Sequence, residues 1–206
     1  MFANPGFRAA LRNSFLIGAG VSIISAVVGT AAAMGLVQIP SRHARMVLAA
    51  VSLPIMLPPL VLGVALLSFY VTAGLPLGLG TVILSHLLFT LPFVILVIYA
   101  RLQSFDFLMV ESARDLGASA MVAFWTVTFP VIQPSIIGAV LLALALSIDD
   151  FIITFFTIGT GNTLPTFVWG MVRTALTPGA NAIGSFVILI TMAATVIALH
   201  LTKFRG

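Results

Sequence analysis

Two adjacent aspartates, Asp149 and Asp150, lie within an otherwise apolar stretch of the chain. An ionisable side chain inside a membrane segment is costly and is by default a candidate functional residue. We expect the pair to have no basic partner in the apolar stretches, so its carboxylates could attract a cation. The structural alternative is that Ser147 or Asp149 caps a helix that restarts after a break, with Asp150 bonded to backbone donors. Because neighbouring helical residues point about 100° apart, we expect one aspartate to face such a cation directly.

Two further side chains could contact a ligand of this kind. His86 lies in another apolar stretch, but a single histidine in a membrane segment more often makes a hydrogen bond between helices. Trp169, in a polar connection that also holds Pro165, could stack on a cation or contact another protein. A tryptophan at such a position more often anchors the chain at the membrane surface. The sequence leaves these alternatives open.

The longest polar segment of the chain can form two short helices. Asp106 is a suitable N-cap for the first helix, and Gly117 supplies the left-handed residue that ends it. Ser119 can cap the second helix, which we expect Pro130 to stop. Two short helices at an angle, with an apolar edge, would form a projection that fits a groove on another protein.

The composition places these elements in a membrane. Of 206 residues, 61% are hydrophobic and only 7% are charged, whereas soluble domains are roughly 25% charged. Stretches such as 82–99 are apolar on every face, which favours membrane-spanning helices. The formal net charge of +4 comes from basic residues scattered at the ends of apolar stretches, which indicates membrane topology rather than nucleic-acid binding. With no cysteine, the chain has no disulfide and no thiolate metal site.

We therefore predict an all-α membrane protein with one domain, 1–206, and five membrane-spanning helices. The second span should be kinked or broken by Pro54, Pro58 and Pro59, which remove backbone donors. The predicted spans are about 14–37, 46–71, 81–100, 134–158 and 181–201, and the long polar loop is about 102–133.

The basic residues predict the orientation of the spans. Five spans place six of the nine basic residues on one side, which should be cytoplasmic and includes the polar loop. The aspartate pair then lies about 22 Å along its span, towards the outer leaflet. This orientation leaves the N-terminus outside with two arginines, so we expect an additional span before it. The six are Arg42, Arg45, Arg101, Arg114, Lys203 and Arg205, and the other three are Arg8, Arg12 and Arg173.

The polar loop also carries a spaced motif, which reads Glu111-Ser112-Ala113, then Gly117, then nine residues to Val127-Thr128-Phe129-Pro130. This motif resembles the cytoplasmic signature of the inner-membrane permeases of binding-protein-dependent ABC importers. Ser112, Val127 and Phe129 are mild departures from it. In that family the loop is the coupling helix that docks on the ATPase subunit. The resemblance implies that Glu111, Ala113 and Gly117 contact an ATPase, and that Pro130 closes the motif.

The resemblance extends over nearly the whole chain to the permeases of spermidine and putrescine importers, which usually have six spans. It implies a multi-pass protein of the bacterial inner membrane, surrounded by lipid, that pairs with a second permease subunit. Two cytoplasmic ATPases and an external or periplasmic polyamine-binding protein would complete the importer. The residues that carry this resemblance are Asn13-Ser14, Leu91-Pro92-Phe93, Ser147-Ile148-Asp149-Asp150-Phe151, Leu164-Pro165 and Asn181-Ala182.

No enzyme site is recognisable in the sequence. The chain lacks Gly-x-x-x-x-Gly-Lys-Ser/Thr, and its only lysine is Lys203, so we expect ATP to bind the partner and this chain to need no cofactor. Neither a metal-ligand spacing nor a Ser/His/Asp arrangement is present in the sequence. The alternatives are an importer permease for another small solute, a proton-driven secondary transporter in which the aspartate pair titrates, and a non-transporting membrane scaffold.

Overall fold

The computed structural model describes residues 4–174 and seven helical positions beyond them: Ser185, Ile188, Leu189, Met192, Ala193, Val196 and Ile197. The rest of the predicted span 181–201 lies outside the described residues, as do Lys203 and Arg205. In the described part of the chain, every regular element is helical. In chain order these are α1 (Pro5–Leu36), α2 (Ser41–Val51), α3 (Leu53–Met56), α4 (Pro59–Thr72), α5 (Leu79–Gln103), α6 (Leu108–Asp115), α7 (Ala120–Ala123), a π-helical turn (Phe124–Thr128), α8 (Phe129–Asp149), α9 (Ile152–Thr157) and α10 (Leu164–Thr174).

Helices α1, α5 and α8 pack against one another and form the centre of the molecule. Among the described residues, three helices are long and apolar enough to cross a membrane: Pro5–Leu36, Leu79–Gln103 and Ala120–Asp149. On the outer surface of α1, Ile23 and Val27 are 65% and 67% exposed, which suits contact with lipid rather than water. The predicted all-α membrane fold is confirmed.

Glycines let α1 approach its neighbours closely. A Cβ at Gly18 would lie 2.8 Å from Leu144 Cδ1 of α8, and one at Gly29 would lie 2.7 Å from Val94 Cγ1 of α5. Both distances are shorter than van der Waals contact, so a larger residue would require Leu144 or Val94 to shift. Small residues at helix interfaces are a common means of close packing in membranes. This packing holds α8, which ends at the aspartate pair, firmly against α1.

Helix α1 begins at Pro5, earlier than the predicted start of the first span at 14. Asn4 caps it, because Asn4 Oδ1 accepts hydrogen bonds from the N–H groups of Gly6 and Phe7 at 2.8 and 3.3 Å. Pro5 occupies the first helical position, where its missing N–H breaks no helical bond. Polar residues before 14 interrupt the apolar pattern but not the helical backbone, so the helix extends beyond the predicted span.

The predicted second span, 46–71, is divided among α2, α3 and α4, and α2 begins earlier, at Ser41. Leu57 and Pro58 are extended between α3 and α4, with ψ angles of 137° and 132°. The residue before a proline is driven out of the helical region, which explains the break before Pro59. Helix α4 has 14 residues, or about 21 Å at 1.5 Å per residue, so it is shorter than the hydrocarbon core of a bilayer.

Pro130 does not stop a helix, contrary to the prediction. The chain is helical from Ala120 through Pro130 to Asp149. In the π-helical turn before the proline, the N–H of Phe129 donates to the carbonyl of Phe124. Pro130 then lies in the first turn of α8, where a proline is tolerated. The long helix that contains the start of the predicted fourth span therefore begins within the predicted polar loop, 102–133, rather than after it.

Separate apolar clusters define the two ends of the bundle. Leu36, Leu102 and Ile132 belong to one cluster, so the end of α1, the end of α5 and the start of α8 lie together. Phe7 and Leu164 belong to another cluster, which joins the start of α1 to α10. Helix α8 therefore runs from the first end of the bundle towards the second.

Candidate functional site

The aspartate pair lies at a break between two helices. Helix α8 ends at Asp149, Asp150 is extended with φ −67° and ψ 122°, and α9 begins at Ile152. The predicted fourth span, 134–158, is therefore two helices rather than one. A short aspartate side chain can replace backbone hydrogen bonding at such a position, which favours the break.

Asp150 caps the helix that follows the break. Its Oδ2 accepts a hydrogen bond from the backbone N–H of Thr154 at 2.8 Å and another from the Thr154 hydroxyl at 3.0 Å. The N–H groups in the first turn of a helix lack intrahelical partners, and a carboxylate satisfies them. The structural alternative placed the cap at Ser147 or Asp149 and expected Asp150 to bond backbone donors, whereas Asp150 itself supplies the cap.

A buried polar cluster, consisting of His86, Ser147, Asp150 and Thr154, joins α5 to this break. His86 is fully buried. Its Nε2 lies 3.2 Å from Asp150 Oδ2 and 2.9 Å from Thr154 Oγ1, and its Nδ1 lies 2.8 Å from Ser147 Oγ. Because the Thr154 hydroxyl donates to Asp150, it accepts a hydrogen bond from His86 Nε2–H. In the neutral imidazole, Nδ1 then accepts from the Ser147 hydroxyl.

This cluster corrects the expectation about the partner of Asp150 and agrees with the role that the sequence favoured for His86. Asp150 has a basic partner, His86, so the expectation that the pair lacks one is wrong. His86 is buried with both ring nitrogens bonded to other helices, so it serves as an interhelical hydrogen-bonding residue rather than as a contact for a ligand. Sequence reasoning also missed Ser147 and Thr154 as its partners. Their spacing with Asp150, at i, i+3 and i+7, marks one polar face and was the available signal.

Asp149 has a different environment from Asp150. Asp149 is exposed and lines two cavities, which have volumes of about 530 and 290 Å³. Within the described part of the chain, its carboxylate makes no hydrogen bond or ion pair. The larger of the two cavities is here named the main cavity. Asp150 also lines it, together with several aromatic and proline residues, which are Pro54, Pro59, Phe89, Phe93 and Phe151.

Trp169 lies in the smaller cavity, here named the tryptophan cavity, together with Asp149 and Phe151. Its ring contacts the Phe151 ring, with centroids 5.4 Å apart and planes inclined by 50°. The Trp169 residue is 44% exposed. Asp149 and Phe151 line both cavities, so the structure brings two of the predicted candidates, Asp149 and Trp169, to one place.

The polar loop turns at Gly117, which ends α6. Gly117 has φ +92°, a conformation that side chains with a Cβ rarely adopt. Its N–H donates to the carbonyl of Arg114 at 2.9 Å, and the N–H of Ala118 donates to the carbonyl of Ala113 at 3.0 Å. These two bonds form a Schellman motif, which satisfies the last carbonyls of a helix. Ala113 therefore anchors the turn that Gly117 makes.

The surface of this loop presents both a cleft and apolar side chains. Glu111 and Gly117 line a cleft of about 560 Å³. Leu108 and Leu116 are 65% and 91% exposed beside it. Pro130 does not line this cleft, because it lies in the first turn of α8. Glu111 and Gly117 therefore line the cleft and Ala113 anchors its turn, whereas Pro130 is not among the residues that line it.

Comparison with known proteins identifies the family. Residues 15–204 match the family described as binding-protein-dependent transport system inner membrane component. The chain belongs to this family. The match includes the polar loop and the aspartate pair, and it makes the chain a multi-pass membrane protein of a transport system.

Related sequences cover most of the chain. It is 29% identical over 204 residues to the spermidine/putrescine transport system permease protein PotC of Haemophilus influenzae, across 98% of this chain and 79% of that protein. It is 34% identical over 196 residues to the putrescine transport system permease protein PotI of Escherichia coli K12, across 91% of this chain and 70% of that protein. These relatives are transport permeases, in keeping with a role other than catalysis.

Solved structures share the fold. The methionine ABC transporter MetNI, in an inward-facing conformation, has a chain that matches with a TM-score of 0.72 and 18% identity, over 96% of this chain and 97% of that chain. A bacterial alginate ABC transporter, solved with an alginate-bound periplasmic protein, matches with a TM-score of 0.73 and 17% identity, over 98% and 80%. The arrangement of helices is therefore that of an ABC transporter permease.

Proposed function

We propose that this chain forms the membrane-spanning path of an ATP-driven polyamine importer, with Asp149 as the carboxylate that contacts the cation. The observation that carries the proposal is the position of Asp149, unpaired among the described residues, in two cavities with apolar and aromatic walls. A polyamine consists of ammonium groups joined by methylenes, and carboxylate, aromatic and aliphatic groups complement those two parts. The similar permeases are named for spermidine and putrescine transport, and these names support the same substrate class.

The two aspartates differ in how available they are to a substrate. Asp150 Oδ2 already accepts two hydrogen bonds from Thr154 and lies 3.2 Å from His86 Nε2. Asp149 has no such partners among the described residues. A carboxylate in a membrane segment is costly when it is unpaired, and a bound cation would lower that cost. Asp149 is therefore the substrate contact in this proposal, and Asp150 maintains the helix break beside it.

The polar loop is the docking surface for an ATPase in this proposal. Leu108 and Leu116 offer apolar contacts at its surface, while Glu111 and Gly117 line the adjacent cleft. The chain lacks a phosphate-binding motif, so ATP would bind and be hydrolysed in cytoplasmic partner subunits. A second permease subunit and an external binding protein complete the proposed importer, in keeping with the family's binding-protein-dependent description.

The test is polyamine uptake by the complete transporter carrying Asp149→Asn. Asparagine keeps the shape of the side chain but removes its charge, so we expect the maximal uptake rate to fall about tenfold at unchanged membrane abundance. Asp106→Asn is the matched control, because Asp106 Oδ1 caps Leu108 N–H at 3.0 Å in the polar loop and asparagine caps equally well. Wild-type uptake of spermidine and putrescine by Asp149→Asn would overturn the proposal.

A further inference from the structure

We propose that the tryptophan cavity is a second cation subsite, in which an ammonium group lies against the Trp169 ring with Asp149 as its counter-charge. The inference rests on the proposed function and names Trp169 as a specificity-determining residue. It assigns a ligand to a cavity that is separate from the main cavity but shares Asp149 and Phe151 with it.

The break after α8 places one carboxylate beside both cavities. Because Asp150 is extended rather than helical, the chain changes direction between Asp149 and α9. Asp149 and Phe151 border the main cavity and the tryptophan cavity, whereas Asp150 borders only the main cavity. An ammonium group that moves between the two cavities therefore stays beside the Asp149 carboxylate.

The walls of the tryptophan cavity suit an ammonium group bound to methylenes. Tryptophan is the strongest aromatic partner for a cation, especially where water is excluded. The Phe151 ring contacts the indole at 5.4 Å between centroids, and the Trp169 residue as a whole is 44% exposed, so part of it is open to a ligand. Pro165, Val168, Val172 and Ile188 supply apolar wall, which lowers the local dielectric and strengthens the attraction between ammonium and carboxylate.

Two adjoining cavities also favour a substrate with more than one ammonium group. One ammonium group can lie in the main cavity, which has both aspartates in its wall, while another lies in the tryptophan cavity. The methylene chain between them would pass Phe151, whose ring lines both. A cation with a single ammonium group can occupy only one cavity at a time. Loss of Trp169 should therefore lower the transport of polyamines, which can occupy both cavities.

The alternative role for Trp169 is that of an anchor at the membrane surface. Loss of an anchor would change membrane abundance or stability. Its effect on transport would add independently to the effect of losing the Asp149 charge. Two residues that bind the same ammonium group behave differently, because removing either one already removes most of the shared interaction. A double-mutant cycle therefore separates the two roles.

The experiment measures the maximal rate of polyamine transport per transporter, in proteoliposomes that contain the complete importer and saturating binding protein. We expect Trp169→Leu to lower this rate about tenfold and Trp169→Phe to keep it within about threefold of wild type, because phenylalanine retains a weaker aromatic face. Phe69→Leu is the matched control: Phe69 is 60% exposed and lines neither cavity, so its replacement should leave the rate unchanged.

The double variant Asp149→Asn/Trp169→Leu should have a maximal rate at most about threefold lower than that of Asp149→Asn alone. A tenfold further loss would assign Trp169 an independent role and overturn the second subsite. If Asp149→Asn lowers transport while Trp169→Leu has no effect, the subsite is wrong and the proposed function stands. If neither single variant lowers transport, both are wrong.

Discussion

At the scale of residues, two adjacent and chemically identical side chains have different partners. Asp150 lies within the buried polar cluster, where it bonds Thr154 and His86. Asp149 faces the cavities and has no bonded partner in the described part of the chain. The charge of Asp150 is thus used for structure, while that of Asp149 is available to a ligand in the proposed function.

This division predicts that replacing Asp150 lowers the stability of the protein more than replacing Asp149. Asp150→Ala removes the acceptor for the Thr154 N–H and leaves buried donors unsatisfied, so we expect the free energy of unfolding to fall by about 1–3 kcal/mol. Asp149→Ala removes no hydrogen bond among the described residues and should leave stability nearly unchanged. Thermal unfolding of the two purified variants in detergent gives the comparison. Equal losses of stability would contradict the assignment of Asp150 to the cap.

At the scale of elements, the candidate sites lie where helices end. The break between α8 and α9 presents the aspartate pair, and the Schellman turn at Gly117 ends α6 in the polar loop. His86 joins α5 to both sides of the break, because Ser147 belongs to α8 and Thr154 to α9. These buried hydrogen bonds hold α5 to both helices that flank the aspartate pair.

The turn at Gly117 leads to a prediction for the polar loop. Gly117→Asp should abolish polyamine uptake without removing the protein from the membrane, because a Cβ at φ +92° strains the turn by about 1 kcal/mol or more. The new charge would also lie in the cleft that Glu111 and Asp115 already line.

Gly74→Asp provides the matched control for this variant. Gly74 also has a positive φ, +67°, and nothing within 4 Å of an added Cβ, but it lies outside the polar loop. It should keep uptake close to wild type, as measured with labelled polyamine and normalised to membrane abundance. Equal loss of uptake in both variants would mean that backbone strain alone, rather than docking, explains the effect.

At the scale of the whole molecule, five of the described arginines lie at opposite ends of the bundle. Asn13 Nδ2 donates to the carbonyl of Asn162 at 2.9 Å, which holds the start of α1, with Arg8 and Arg12, to the segment before α10. At the other end, Ala44 and Leu102 share one apolar cluster. Arg42, Arg45 and Arg101 are neighbours of those two residues in the sequence. The orientation of these two ends across the membrane stays a prediction.

The predicted orientation can be tested by labelling single cysteines, because the natural chain has none. Leu116→Cys, at a position 91% exposed in the polar loop, should react with a membrane-impermeant maleimide only after the cells are permeabilised. Asn162→Cys, at an exposed position on the opposite end, should react in intact spheroplasts. The cysteine-free chain measures background labelling. The reverse pattern would invert the topology and place the polar loop outside.

The sequence alone determined the features that depend on composition and local backbone chemistry. These are the membrane class, the breaks near Pro54 and Pro58 and the turn at Gly117. Each follows from hydropathy or from a backbone restriction that acts within a few residues, and such properties are present in the unfolded chain.

The tertiary structure decided which aspartate has bonded partners among the described residues and how the helices continue. His86 and Ser147 are 61 residues apart in the chain, yet they bond at 2.8 Å, and no local pattern encodes that pairing. Pro130 was predicted to end a helix, but the π-helical turn before it lets the helix continue. Close packing at Gly18 and Gly29 sets the helix positions that bring His86 to Asp150. Contacts between distant segments depend on the folded arrangement of all the helices, and for this reason Asp149 is left facing the cavities.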